Sequence, residues 1–307
     1  MRFDIVTIFP DFFRSPLEHG VVARALRSGL AEVRTHDLRA YTHDRHRTVD
    51  DRPFGGGEGM VLKPQPIFEC LEAIPVPPLR GDRALQPAAP LVLLLSAQGR
   101  PFTQATARRL AALDRIVLLC GRYEGVDERV SQLLCDEEVS IGDYVLSGGE
   151  LAAAVVVDAV VRLLPGVLGH ADSSRYESFG EGDTEAVAAE ENCHPEDPDP
   201  TADSGAPGPD SRTRVAGGTV PRATHSAGGL LDYPHYTRPA EWRGLAVPAP
   251  LHSGDHLAVR RWRRHAALAK TLAHRRDLLD RALTLGELSD SDREYLAELG
   301  YTGPAGS

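Results

Sequence analysis

Between residues 91 and 164 the chain alternates short, unbroken apolar runs with amphipathic stretches, and this alternation restricts the fold more than any other feature. Residues 91–96 and 115–120 read as strands without polar alternation, which must be covered on both faces. Helices are predicted over 103–112 and 127–135, then a short extended segment over 138–141. A long apolar helix over 150–164 ends at Pro165-Gly166. Strands and helices in this order predict an α/β domain built on a parallel sheet.

The flanking segments extend the pattern. Residues 2–9 predict an opening strand, and Ser15-Pro16-Leu17-Glu18 starts a helix with proline at its first position, stopping at Gly29. A strand over 32–36 and a helix over 64–74 follow. Residues 43–60 have no period and form a loop, and 75–90 is a proline-rich connection. Helices over 255–273, 277–283 and 290–299 form a small all-helical C-terminal domain. Ser291-Asp292-Arg293-Glu294 reads as a capping box for the last of them.

Residues 182–228 have almost no large apolar side chains, and such a stretch cannot offset its ordering entropy, so a disordered acidic insertion is expected. From Gly180 to Gly229, ten acids face three arginines. Most of the net charge of −10 sits there, so basic clusters elsewhere remain free to meet nucleic acid. The sequence shows no signal-peptide pattern and no apolar run of the roughly 18 residues a membrane span needs, so a cytoplasmic protein with no membrane partner is expected. The cysteines, Cys70, Cys120, Cys135 and Cys193, form no C-x-x-C pair, and Cys120 and Cys135 lie in apolar runs as core thiols.

Four groups of residues can carry chemistry. His43, Asp44, His46 and Asp50 in the glycine-rich 43–60 loop suit a metal, whereas Arg45, Arg47 and Arg52 suit phosphates. Both readings stay open, as does a mobile flap closing on a ligand. Three loops follow three strands: Ser96-Ala97-Gln98-Gly99, then Gly121-Arg122-Tyr123-Glu124-Gly125, then residues 141–149. Ligands of open α/β sheets bind at the carboxyl ends of strands, so these loops line one pocket. Leu146-Ser147-Gly148-Gly149-Glu150 looks like a transport-ATPase signature but has no Walker loop upstream. Arg162, Glu177 and Asp232 bring acids and an arginine toward the same region. Arg260-Arg261-Trp262-Arg263-Arg264-His265, with Arg275 and Arg276 after it, is a basic helix with an interleaved aromatic, suited to RNA phosphates, with the arginines facing outward and Trp262 in the small domain's core.

Taken in order, the blocks 43–60, 121–129, 141–150, 165–169, 230–239 and 260–263 closely resemble the bacterial tRNA (guanine-N(1)-)-methyltransferases. The resemblance covers nearly the whole chain except 182–228. It implies a SPOUT-like fold, in which the parallel-sheet domain ends in a trefoil knot and is followed by the all-helical domain. The implied division is a knotted domain over 1–168, a linker over 169–238 that holds the insertion 183–229, and a tRNA-binding domain over 239–307. The implied methyl donor is S-adenosylmethionine. Its pocket falls on Leu94, Leu95, Ser96, Gln98, Gly121, Tyr123, Glu124, Ile141, Gly142, Asp143, Tyr144, Val145, Leu146, Gly148 and Gly149. A magnesium ion is a further implied cofactor, with Glu124 and Glu177 as contacts. The implied partners are a second copy of the chain sharing the active site, and a tRNA with guanine at positions 36 and 37.

The resemblance also assigns roles. N1 of guanine carries a proton at neutral pH, so a base must take it and a cation must steady the exocyclic oxygen. Glu177 stands where the family has an aspartate base, with Asp172 as the other candidate. Arg162 falls on the family's arginine, and Asp232 on a second acid that positions the guanine. Arg45, Arg47, Asp50, Arg52, Arg260, Arg261 and Arg264 are expected to contact tRNA. The rival readings are a knotted relative that binds RNA without catalysis, a relative methylating another position, and a metal-dependent hydrolase built on the 43–60 loop.

Overall fold

A computed structural model describes residues 1–74, 76, 89–168, 178 and 229–304. All of these except Ser178 belong to one compact unit, Met1–Ser173 with Ala227–Ser307. The expected insertion lies outside the described residues.

The first strand, β1 (Arg2–Thr7), is followed by a 3-10 turn and two helices, α1 (Arg14–Glu18) and α2 (Gly20–Arg27). The sequence predicts one helix here. His19 breaks it by taking an extended conformation (φ −125°, ψ 157°). The next strand, β2 (Glu32–Asp37), lies parallel to β1. Inside the expected 43–60 loop β3 (Asp50–Asp51) pairs antiparallel with β4 (Val61–Leu62) just beyond it, a two-residue ladder that closes the loop into a flap. Helix α3 (Pro64–Ala73) has its proline in the first turn, where no backbone N–H is missed.

The βα units come next: β5 (Leu91–Pro101), α4 (Gln104–Ala111), β6 (Arg115–Cys120), α5 (Glu128–Leu134), β7 (Glu137–Ser140) and α6 (Glu150–Val161). The sheet is all parallel in the order β2-β1-β6-β5-β7. Strand β5 outruns its expected end at Ser96. Leu93, Leu94 and Leu95 pair with Glu137, Glu138 and Val139, and Arg100 and Pro101 then pair again with Val139 and Ser140. The intervening residues bulge out, which is why they look like a turn.

Both faces of the sheet are covered. Phe3, Ile5, Leu93, Leu95, Ile116 and Leu118 face one core with Val156 and Val160 of α6. Val6, Val92, Leu94, Val117 and Leu119 face the other, with Phe68 of α3 and Val130 of α5. Each such side chain contributes about 1.5–3 kcal/mol on burial, so this double cover explains the uninterrupted apolar strands. Cys120 and Cys135 are buried free thiols, as expected.

Strand β7 lies outside β5, yet the chain after it returns to the middle of the sheet. Gly149 N–H donates to Gly121 O at 2.9 Å, and Arg122 and Gly148 form an antiparallel bridge. Helix α6 then packs on β1 and β6. This return over the end of β5 is the crossing that the expected trefoil knot needs.

A short antiparallel pair, β8 (Glu241–Trp242) with β9 (Leu245–Ala246), leads into α7 (His256–His274), α8 (Arg276–Thr284) and α9 (Asp290–Glu298). Trp242 sits in the α/β core edge-on to Phe68, with ring centroids 6.0 Å apart. The three helices bury Leu268, Leu279, Ala282, Leu288 and Leu296 among themselves. Trp262 is partly buried rather than central, edge-on to Tyr236. The capping box of α9 is Ser289 with Asp292, two residues before the expected one, because the helix begins at Asp290 and places Ser291 inside its first turn. No helix among the described residues is long and apolar enough to cross a membrane.

Candidate active site at the strand ends

The strand order brings the Ser96–Gly99 bulge of β5, here the first loop, and the loops after β6 and β7 to one edge of the sheet, because β6, β5 and β7 are successive neighbours running the same way. Leu94 and Leu95 have their side chains in the two cores, so only their backbone can serve a ligand. Ser96 Oγ accepts from the N–H of Gln98. Gly121 and Gly149 touch through their backbones, and a Cβ at Gly149 would lie 2.8 Å from Cys120 Cα. Only glycine permits that approach. Tyr123 adopts the left-handed conformation (φ 61°) and is half exposed, as is Tyr144, while Val145 is almost fully exposed. The wall beneath is fixed by charge. Glu150, buried at the start of α6, accepts from Thr7 Oγ1 at 2.7 Å and pairs with Arg122 at 3.0 Å.

The flap is sutured to the second of these loops. Glu124 N–H donates to Met60 O, and Leu62 N–H donates to Gly125 O, both at 3.0 Å. Gly59 takes a left-handed conformation (φ +82°) that residues with a side chain rarely adopt, with the Glu124 side chain lying over it. Arg45, Arg47 and Arg52 are exposed on the flap, and Asp50 is half-buried in its ladder. The metal reading of the flap finds no geometry. His43 pairs with Glu69, and Asp44 is engaged by Thr48 Oγ1 and two backbone N–H groups, which hold its carboxyl below the usual range. Among the described residues no group of three His, Cys, Asp or Glu side chains could hold a metal ion, and Glu124 stands exposed. Glu177, the other expected magnesium contact, lies outside the described residues.

The segment after the insertion closes one side. Asp232 bonds His235 Nε2 at 3.1 Å and accepts from Tyr233 N–H. Burial pushes its carboxyl up, but the His235 bond and charge, with the Tyr233 N–H, outweigh that and hold it below the usual range. The Arg263 guanidinium lies 4.7 Å over the Tyr233 ring and donates to Gly56 O and Phe54 O of the flap. Helix α7 thus touches the flap and the Asp232 segment together.

The remaining expected residues lie elsewhere. Arg162 caps the C-terminus of α6, and twelve residues at 1.5 Å rise put it about 18 Å from the strand-end loops. Glu177 and Asp172 lie outside the described residues. Arg260 and Arg261 are exposed on α7. Arg264 instead makes a two-pronged bond to Asp292 of α9, both at 2.9 Å, so its charge is engaged within the fold. Arg263 and Arg275, expected to face outward to RNA, instead bond the flap and Asp143, with Arg275 buried, and His274, which the sequence reading did not name, bonds Gln98 O. The 3.6-residue stripe Arg263, Lys270, His274 on α7 is the sequence signal that could have found them.

The comparisons with known proteins agree with this geometry. The family model for tRNA (Guanine-1)-methyltransferase TrmD matches residues 1–196 and 213–281. The tRNA (guanine-N(1)-)-methyltransferase of Koribacter versatilis is 56% identical over 299 residues, spanning 97% of this chain and 98% of its own. Those of Geobacter metallireducens and Chloroflexus aggregans are 43% and 44% identical, over 97% and 99% of this chain and 98% and 97% of theirs. With a family model matched over most of its length and relatives alike from end to end, the chain belongs to the TrmD family of tRNA (guanine-1)-methyltransferases.

Proposed function

We propose that this enzyme methylates N1 of the guanine at position 37 of tRNA, with guanine at position 36 preceding it, in a site shared between two copies of the chain. Family membership already makes it an S-adenosylmethionine-dependent tRNA guanine-N1 methyltransferase. The observation that carries the finer reading is the convergence of three strand-end loops under a flap and an arginine-bearing helix.

S-adenosylmethionine, when bound, supplies the electrophilic methyl group. The loops fit it because they offer half-exposed Tyr123 and Tyr144 beside backbone groups that glycines leave open. Gly121, Gly142 and Gly148, with Ser96, Gln98, Glu124, Ile141, Asp143, Val145 and Leu146, complete the cradle. Glu177 takes the proton from guanine N1, Arg162 steadies the charge developing on the exocyclic oxygen, and Asp232 orients the base once it is unstacked. No step is assigned to magnesium.

The separation of Arg162 from the loops of its own chain calls for a second subunit to bring the arginine in. Helix α6 supports this, since the N-terminal half of its outer face is apolar, with Leu151 51% and Val155 45% exposed ahead of exposed Asp158. A face of that kind beside the pocket suits a two-fold contact.

Labelled methyl transfer to transcripts that differ only at positions 36 and 37, with the product nucleoside identified by mass spectrometry, tests the reading. 1-Methylguanosine from the guanine-37 transcript alone is expected. Equal product from an adenine-37 transcript, or donor binding without product, would overturn it.

A further inference from the structure

Helix α7 presents one stripe of side chains to every element around the strand-end loops. Arg263 bonds the flap carbonyls of Gly56 and Phe54. Lys270 pairs with Glu128 at 3.1 Å, just after the second loop, and lies 3.9 Å from Glu138 of β7. His274 Nδ1 donates to Gln98 O of the first loop at 3.3 Å. At the corner between α7 and α8, Arg275 makes a two-pronged bond to Asp143 of the third loop, with Nη1–Oδ1 2.5 Å and Nη2–Oδ2 2.9 Å. The same guanidinium bonds Asp277 in the first turn of α8 at 2.9 and 2.7 Å.

The third loop is anchored at its ends, by Ser140 Oγ to Gly142 and by Gly149 N–H to Gly121 O, while its middle stands out from the fold. Tyr144 and Val145 stand exposed, Gly142 is in a positive-φ conformation, and the Asp143 side chain is itself 63% exposed. Arg275, by contrast, has only 8% of its side chain exposed. A buried, pre-oriented guanidinium gripping an exposed carboxylate restrains the loop rather than filling a core, because the planar fork fixes both carboxylate oxygens at once.

We infer that Arg275 is a positioning residue for the methyl donor. Through Asp143 it holds the loop after β7 in its donor-binding shape, and through α7 it ties that shape to the helix that carries Arg260 and Arg261. The inference rests on the donor-pocket reading above. Without the clamp, binding of the donor must order a loop that is otherwise already in place, so affinity falls while the chemical step is left alone.

The test uses the full-length enzyme and S-adenosylhomocysteine as a non-reacting probe, titrated calorimetrically, together with initial rates at varied S-adenosylmethionine. The variants are Arg275→Gln, Asp143→Asn, the double variant, and Arg275→Lys. Asp143 also belongs to the proposed cradle, so the clamp is read from Arg275→Gln, whose side chain lies outside the cradle, and from the double variant, while Asp143→Asn keeps the fold because Asp143 is exposed. Each of Arg275→Gln and Asp143→Asn is expected to weaken the probe and raise the donor KM about tenfold, with kcat within about threefold and the KM for tRNA unchanged. The double variant is expected to be no worse than either single one, and Arg275→Lys to recover part of the affinity. Unchanged probe affinity in both single variants, additive losses in the double one, or a loss confined to the KM for tRNA would each overturn the inference. Titration of the wild-type enzyme comes first. If it binds no probe, the donor-pocket reading falls and the inference with it, whereas failure of the variants alone leaves the pocket standing.

Discussion

Arg129 and Asp127 pair at 2.8 Å with neither side chain exposed to solvent. The guanidinium also donates to Thr237 O at 2.7 Å and Pro239 O at 2.9 Å, and Asp127 accepts from Thr237 N–H. A single buried pair thus fastens the segment that carries Asp232 to the start of α5. Removing one partner strands a buried charge, which costs about 3–5 kcal/mol. Arg129→Ala is therefore expected to lower the melting temperature sharply and to expose residues near 230–240 to proteolysis. Retained thermal stability in that variant would contradict the account.

Asp4 sets an acid limit on stability. Burial raises its carboxyl, but hydrogen bonds from His36, Arg2 and Arg115, with the Arg115 charge, outweigh this and leave it well below the usual carboxylate range. A carboxyl depressed in the folded state contributes stability that is full above its unfolded pKa of about 3.9 and is lost as pH falls toward its folded value. Melting curves from pH 6 downward should show wild-type stability falling below about pH 4, with Asp4→Asn less stable at neutral pH and flatter on the acid side. Parallel acid limbs for the two proteins would place the acid sensitivity elsewhere.

Much of the sheet was legible because strands covered on both faces must be apolar without interruption, and β6 matched its expected bounds residue for residue. The break at His19 was not, since it lies in backbone angles that an amphipathic pattern does not encode. Nor was the extension of β5, whose second pairing with β7 depends on a strand more than thirty residues later. The strand-end loops could be found because their glycine clusters follow strands. Arg263 and Arg275 were legible as basic residues but their partners were not, because the groups they bind lie 207 and 132 residues away in the chain. Glu177 remains an expectation drawn from the resemblance, as it lies outside the described residues.

The arginines of α7 divide by partner. Arg261 is exposed, whereas Arg264 holds α9 through Asp292, whose side chain is 8% exposed. Arg261→Ala is expected to weaken tRNA binding and reduce the slope of log affinity against log salt by about 1, leaving the melting temperature unchanged. Arg264→Ala should do the reverse, costing about 1–3 kcal/mol of stability and leaving the salt slope intact. Filter-binding titrations at several salt concentrations, alongside melting curves, separate the two. Equal effects on the salt slope would mean that Arg264 leaves Asp292 to meet RNA.

A shared site has a consequence that no single-chain arrangement imitates. Arg162 sits at the far end of α6 from Gly149, so the proposed dimer would combine the arginine of one copy with the strand-end loops of the other. Arg162→Ala, and separately Gly149→Val, which would press a side chain into Cys120, should each be inactive. Mixed and allowed to exchange subunits, they should regain activity, because a heterodimer assembles one site with both parts intact. Leu151→Asp should abolish that recovery by placing a charge on the apolar face of α6, and should shift the protein to the monomer mass in sedimentation. If mixing restores nothing while the two variants demonstrably exchange, both parts of the site come from the same chain, and the distance along α6 must be closed by a movement within it.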